Sequence, residues 1–221
     1  MFPTSQDHKR ALDGDRGLNT GGMGTYSPVP FLTEADLEVA AKAILEPFLR
    51  GCTAEGIDYR GILYPGIMLT RSGPKVLEFN ARFGDPETQV YLPRLENDLV
   101  EVLEASVSGS LHRLNLNWSK MACVCVVMAS EGYPGHYAKG KAIAGIEAAN
   151  ALPRTKVFHA GTIMRGEEVA TNGGRVLGVT CRAADLRAAV DGAYRAVRCI
   201  QFDGMHYRTD IAAKGLKRLP N

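Results

Sequence analysis

The chain's most chemically loaded stretch is Leu77-Glu78-Phe79-Asn80-Ala81-Arg82-Phe83-Gly84-Asp85-Pro86-Glu87, in which a carboxylate, an amide and a guanidinium alternate. Side chains two apart in a strand share a face, so Glu78 and Asn80 can offer oxygens to one cation while Leu77 and Phe79 pack behind them. Magnesium binds roughly six oxygens at about 2.1 Å and commonly takes only one or two from side chains, so this pair suffices if water and phosphate supply the rest. Arg82 continues the row into the next loop, where its planar fork of donors suits a phosphate or acyl phosphate better than a lysine would. Gly84-Asp85-Pro86-Glu87 reads as a tight turn opening a helix, with Pro86 in its first turn and free N–H groups facing an anion. The same triple also fits the solvated face of an antiparallel strand, and Asp85 and Glu87 also fit helix capping; spacing alone leaves these readings open.

A second segment, Gly17-Leu18-Asn19-Thr20-Gly21-Gly22-Met23-Gly24-Thr25-Tyr26-Ser27-Pro28, holds three glycines in four residues. Without Cβ atoms in the way, its amides could approach an anionic ligand, although a flexible surface loop has the same composition. The segment matches neither the P-loop nor the dinucleotide fingerprint. His8-Lys9-Arg10 reads as a solvated strand end or an anion site. His159, in an apolar strand, reads as a hydrogen-bonded structural histidine, and Cys123 and Cys125 as core.

These residues need elements to hold them. From Thr33 the pattern is helical, with Leu37, Ala41, Ile44, Leu45, Phe48 and Leu49 at helical spacings, Thr33 and Asp36 as a capping pair and Pro47 as a kink. Residues 61 to 69 and 75 to 80 read as a hairpin turning at 71 to 74, with Pro65 marking an edge or a bulge. Short helices follow to residue 107. The polar stretch from 108 to 120 then marks a boundary, giving domains 1–109 and 110–221. Strands at 121 to 130, 156 to 162 and 174 to 181, then a helix from about 184 to 199, complete an α+β pattern. The polar, Gly-rich opening reads as the continuation of a longer protein.

Composition narrows the function. With 45% hydrophobic and 23% charged residues a core can form, and the 26 basic and 24 acidic residues are scattered, without the basic face nucleic acid requires. No apolar run reaches the length of a membrane span, and the first residues lack a signal peptide's pattern, so a cytoplasmic protein is expected. Five cysteines without a CxxC argue against disulfides or structural zinc.

Together, Gln6-Asp7-His8-Lys9-Arg10, Asn19-Thr20-Gly21-Gly22-Met23-Gly24, Lys75-Val76-Leu77-Glu78-Phe79-Asn80 and Arg82-Phe83-Gly84-Asp85-Pro86-Glu87 resemble the phosphoribosylamine-glycine ligase (glycinamide ribonucleotide synthetase) family. The resemblance continues in order through Gly132-Tyr133-Pro134-Gly135, Phe158-His159-Ala160-Gly161-Thr162, Gly173-Gly174-Arg175-Val176-Leu177 and Tyr207-Arg208-Thr209-Asp210-Ile211. It implies an α+β chain: the C-terminal part of an ATP-grasp domain, an antiparallel sheet with helices, followed by a small α+β C-terminal domain. It also implies ATP-dependent ligation of glycine to phosphoribosylamine through a glycyl phosphate, in purine synthesis, with ATP as substrate and Mg2+ or Mn2+ as metal. By motif position Glu78 and Asn80 are the metal ligands and Arg82 the catalytic phosphate clamp. Asn19, Thr20, Gly21, Gly22, Gly24, Asp85 and Glu87 lie on the substrate or phosphate side. Leu18, Ala81, Pro65 and His136 depart from the family's usual Pro, Cys, Ala and Asp, and none of the four is a proposed ligand. Because family members carry more sequence upstream, including the loop that encloses ATP, this chain by itself is expected to be inactive. The alternatives are another ATP-grasp carboxylate-amine ligase, or a non-catalytic remnant.

Overall fold

The structure, a computed structural model, describes residues 1–219. Four short strands open the chain: β1 (Gln6–Asp7), β2 (Arg10–Leu12), β3 (Arg16–Asn19) and β4 (Gly24–Ser27). Helix α1 (Glu34–Ala40) runs through a π-helical turn (Ala41–Leu45) into α2 (Glu46–Ala54), and the hairpin β5 (Tyr64–Thr70) and β6 (Gly73–Asn80) follows. Next come α3 (Thr88–Tyr91), α4 (Leu99–Val107), β7 (Ala122–Ser130), α5 (Ile146–Asn150), β8 (Thr155–His159), β9 (Thr162–Arg165) and β10 (Glu168–Thr171). The chain closes with β11 (Arg175–Ala183), α6 (Leu186–Val197), β12 (Met205–His206) and α7 (Ala213–Leu216). This is the expected mixture of antiparallel sheet and helix.

Two compact units emerge, and they cut the chain differently from a single boundary at 109/110. One unit gathers Met1–Val29, Asp85–Arg94 and the chain from Trp118 on; the other gathers Pro30–Gly84 and Leu95–Asn117. The reason is long-range strand pairing. β4 lies antiparallel against β7, with Thr25 opposite Cys125 and Ser27 opposite Cys123, so residues expected as a loop enter the C-terminal sheet.

In the first unit the sheet runs β1-β4-β7-β11-β8, with β12 also pairing β7. All nine residues of β7 are buried, Cys123 and Cys125 among them, as expected of a core strand. Helix α6 covers one face. Asp185 caps it by accepting from the Ala188 N–H at 2.8 Å, and Leu186, Ala189, Ala193, Ala196 and Val197 turn inward. A Cβ on Gly192 would sit 2.4 Å from the Cys181 Sγ, so this glycine lets the helix lie close on β11. On the opposite face Gly178 leaves room for the Cys125 thiol, whose Sγ would lie 3.2 Å from an added Cβ. The polar residues of β4 are buried only because each finds a partner: Thr25 Oγ1 donates to the Gln6 carbonyl at 3.0 Å, and the Tyr26 hydroxyl donates to Gln6 Oε1 at 2.6 Å.

The second unit holds the helical segment and the hairpin. Thr33 and Asp36 form a reciprocal capping box: Thr33 Oγ1 accepts the Asp36 N–H at 3.2 Å and Asp36 Oδ2 accepts the Thr33 N–H at 2.9 Å. The π-helical turn falls directly ahead of Pro47, where a helix must accommodate a residue with no N–H to donate. Of the apolar residues at helical spacing only Ile44 is buried, while Leu49 is exposed. Arg71 and Ser72 make the tip of the hairpin, and a bulge between Gly66 and Ile67 follows Pro65.

Candidate functional site

Within the second unit, β6 places Glu78 and Asn80 two residues apart, opposite Gly66 and Tyr64 of β5, so both side chains leave one face. Glu78 is exposed and Asn80 half-buried. Gly66 leaves room for the stem of Glu78, since a Cβ there would lie 3.2 Å from the Glu78 Cγ. Arg82 is exposed, with Nη1 donating to the Phe83 carbonyl at 2.9 Å. Two oxygen donors on an open strand face suit a hard cation that takes its remaining ligands from water and phosphate. Among the described residues no group of three or more His, Cys, Asp or Glu side chains could hold a metal. The expected apolar backing for this pair is only half realised. Phe79 meets the Phe48 ring with centroids 5.5 Å apart, whereas Leu77 is 66% exposed.

The Gly-rich segment lies in the first unit and uses its glycines for packing. A Cβ on Gly22 would lie 2.7 Å from Asp7 Oδ1 and 2.6 Å from the Pro86 Cδ; one on Gly24 would lie 2.7 Å from the Cys125 carbonyl oxygen. Its amides are already engaged. Thr20 N–H donates to the Lys9 carbonyl, Gly21 N–H to the Tyr133 hydroxyl, Gly22 N–H to Thr20 Oγ1 and Met23 N–H to the His8 carbonyl, at 2.7 to 2.9 Å. These N–H groups therefore do not form an open anion cradle, which is where the reading from composition and the geometry part. Asn19 and Gly21 are exposed and Thr20 half-buried, whereas Gly22 and Gly24 are buried.

Asp85 and Glu87 flank a cis Asp85–Pro86 bond ahead of the four-residue α3. Asp85 Oδ1 accepts from Gln89 Nε2 at 3.0 Å and Oδ2 from Arg175 Nη2 at 3.1 Å. Glu87 is buried and makes no capping bond to α3. So short a helix presents no row of free amides to an anion.

Two neighbours in the first unit carry shifted pKa values of opposite sense. His8, expected at a solvated strand end, is 1% exposed. Its Nδ1 donates to the Gly24 carbonyl at 3.0 Å and its Nε2 accepts the Ala212 N–H at 3.3 Å, an arrangement that requires the neutral ring. Burial, joined by the nearby cations Arg208 and Lys214, lowers it to about 4. Asp7 is raised to about 6 by burial and then by the Glu87 carboxylate, despite the Lys9 ammonium at 2.8 Å.

As pH falls from about 6.5 to 4 the unfolded chain protonates His8 while the folded chain resists, which costs stability. From about 6 to 4 the folded chain protonates Asp7 before the unfolded chain does, which restores stability. The two effects oppose one another, so Asp7 offsets part of the cost that His8 imposes on acidification. We expect Asp7→Asn to lose the offset, so that its thermal midpoint falls more steeply than the parent's between pH 6.5 and 4.5. Parallel profiles in the two proteins would refute this.

His206, unassigned from sequence, donates from Nε2 to the Ala11 carbonyl at 2.8 Å, and His159 pairs through Nδ1 with Thr162 Oγ1 at 3.0 Å. Tyr133 and Arg175 lie inside motifs legible in the sequence, whereas their contacts with Gly21 and Asp85 are not legible there. A hydrophobic-pattern search cannot find them, because both act across more than 80 residues of chain. Among the described residues no helix is long and apolar enough to cross a membrane.

The family model described as phosphoribosylglycinamide synthetase, ATP-grasp (A) domain, matches residues 1–88, and that described as phosphoribosylglycinamide synthetase, C domain, matches residues 123–214. A phosphoribosylamine–glycine ligase of Synechocystis is 52% identical over 214 residues, covering 96% of this chain and 51% of the relative. The crystal structure of a phosphoribosylamine–glycine ligase from Thermotoga maritima superposes with a TM-score of 0.83 at 36% identity, over 96% of this chain and 51% of that one. A biotin carboxylase domain from Hydrogenobacter thermophilus shares the fold, with a TM-score of 0.58 at 16% identity over 89% of this chain and 42% of that one. The chain thus spans about half the length of the curated relatives it matches.

Proposed function

We propose, on the premise that this chain belongs to the phosphoribosylglycinamide synthetase family, that it carries the metal and phosphate residues of a phosphoribosylamine–glycine ligase. In that reaction the terminal phosphoryl group of ATP moves to the glycine carboxylate, releasing ADP. The amine nitrogen of phosphoribosylamine then attacks the acyl carbon, the bond to phosphate breaks, and the nitrogen loses a proton. Positioning and charge neutralisation supply most of the acceleration in such chemistry.

The observation that carries this reading is the pairing of Glu78 and Asn80 on one face of β6, opposite a glycine that leaves room for the stem of Glu78. In our proposal those two residues hold magnesium or manganese, which when bound would neutralise phosphate charge. Arg82, whose guanidinium is exposed, holds the transferred phosphoryl group or the acyl phosphate through parallel N–H donors. Asn19, Thr20, Gly21, Gly22, Gly24, Asp85 and Glu87 stand on the substrate side. Residues 1–109 would be the ATP-grasp portion and 110–221 the C-terminal domain, in a cytoplasmic protein acting on small molecules.

The test is ADP release with glycine and freshly generated phosphoribosylamine, from this chain and from a version extended upstream to the length of its relatives. We expect turnover only from the extended protein, and its loss on Glu78→Ala. Turnover that survives Glu78→Ala would remove the metal role. Two folded proteins without turnover would favour a non-catalytic chain.

A further inference from the structure

Arg175 is the first residue of β11, and the register between β11 and β7 slips directly after it: Arg175 faces Ala129 while Leu177 faces Met128, leaving Val176 as the extra residue. A bulge at a strand end re-aims the neighbouring side chain. Here the guanidinium reaches the Gly-rich segment and the Asp85 turn together. Nη1 donates to the Gly21 carbonyl at 3.1 Å and to the Asp85 carbonyl at 2.7 Å, and Nη2 donates to Asp85 Oδ2 at 3.1 Å. From the other side the Tyr133 hydroxyl accepts the Gly21 N–H at 2.9 Å. The Tyr133 ring lies directly on Gly174, where a Cβ would sit 2.1 Å from its Cδ2. Gly21 is thus held at both its N–H and its carbonyl by two side chains that the Gly173-Gly174-Arg175 corner sets in place.

We infer that Arg175, supported by Tyr133, is a positioning residue that fixes the Gly-rich segment against the Asp85 turn and so sets the geometry of the substrate side. This rests on the function proposed above and assigns residues that reading left out. It also gives Asp85 a definite task. With Oδ1 on Gln89 and Oδ2 on Arg175, its carboxylate is committed within the protein, so Asp85 holds the turn and leaves substrate contact to its neighbours. A lysine could not replace Arg175, because one ammonium cannot serve two carbonyls and a carboxylate in a fixed fork. The Arg175–Asp85 pair is partly exposed, with side-chain accessibilities of 21% and 50%, so it adds little to global stability and its loss should act locally.

The test uses backbone 15N relaxation on the 221-residue chain with Arg175→Ala, Arg175→Lys and Tyr133→Phe. We expect order parameters at Gly21 and Gly22 near the rigid value of about 0.85 in the parent and below about 0.6 in Arg175→Ala, with Val124 to Val127 of β7 unchanged. The other two variants should fall between. Unaltered order at Gly21, or equal loosening of β7, would overturn the assignment. A second readout takes the upstream-extended protein, where Arg175→Ala should raise KM for glycine or phosphoribosylamine about tenfold and leave KM for ATP unchanged. A loosened segment with both KM values unchanged would also overturn the positioning role. A loosened segment in a protein whose parent shows no turnover would remove the proposed ligase function, while Arg175 would remain the staple of this segment.

Discussion

Replacing Arg208 by alanine is expected to lower the folding free energy by about 3 kcal/mol or more, within the range for removing one partner of a buried ion pair. Arg208 is the largest fully buried side chain, 1% exposed, and its guanidinium is fully engaged. Nε and Nη2 donate to the two carboxylate oxygens of Asp210, each at 2.7 Å, and Nη1 donates to Asp15 Oδ1 at 3.0 Å and the Arg10 carbonyl at 3.1 Å. Asp210 also accepts the Gly14 N–H at 2.9 Å, and Lys214 pairs with Asp15. The cluster therefore ties the β2–β3 hairpin, which leads into the Gly-rich segment, to the end of the chain. Burial alone would raise the Asp210 carboxyl, yet the bonds from Arg208 and Gly14 hold it well below the usual range. Its stabilisation is present at neutral pH and is lost progressively as pH falls from the usual carboxylate range through that lowered value. Arg208→Ala would leave two partly buried carboxylates facing each other. Against a total stability of roughly 5–15 kcal/mol for a domain, this is a large fraction. Arg208→Lys should recover part of it, keeping the charge and losing the fork. Denaturant melts of the three proteins decide the matter; an unchanged midpoint for Arg208→Ala would show that the cluster contributes nothing.

Gly24→Ala should be of similar size. Gly24 sits at φ +149°, a conformation side chains rarely adopt, and its Cβ would meet the Cys125 carbonyl oxygen at 2.7 Å and the Ile211 Cδ1 at 2.8 Å. The obstacle is backbone in the centre of the main sheet, which cannot swing aside as a flexible side chain would. Strain of about 1–3 kcal/mol adds to overpacking of about 1–3 kcal/mol. Gly51→Ala is the control. It lies in α2 at an ordinary φ with nothing within 4 Å of its built Cβ, and should stabilise by up to about 1 kcal/mol. If the two substitutions shift the thermal midpoint alike, the argument from close approach fails.

Local signals in the sequence were enough for several elements. The Thr33 and Asp36 cap, the hairpin turning at Arg71 and Ser72, the apolar β7 and the inward stripe of α6 all follow from spacing within one element, because neighbouring residues alone decide a 3.6- or 2-residue period. The alternation of Glu78 and Asn80 was likewise legible, since one strand suffices to put them on one face.

Other features became apparent only in the folded chain. β4 reads locally as a polar, glycine-rich loop, yet it is a buried strand, because β7, about 100 residues later, satisfies its backbone, and Gln6 and Thr4 satisfy its hydroxyls. His8 looks solvated in sequence and is enclosed by Gly24 and by Ala212, some 200 residues on. The glycines that composition offered to an anion are instead taken up by close packing and by Tyr133 and Arg175. The sequence by itself determined the motif order, several local elements and the family. The tertiary structure alone decided which polar groups remain free to meet a ligand, because that depends on partners distant along the chain and leaves no period to read.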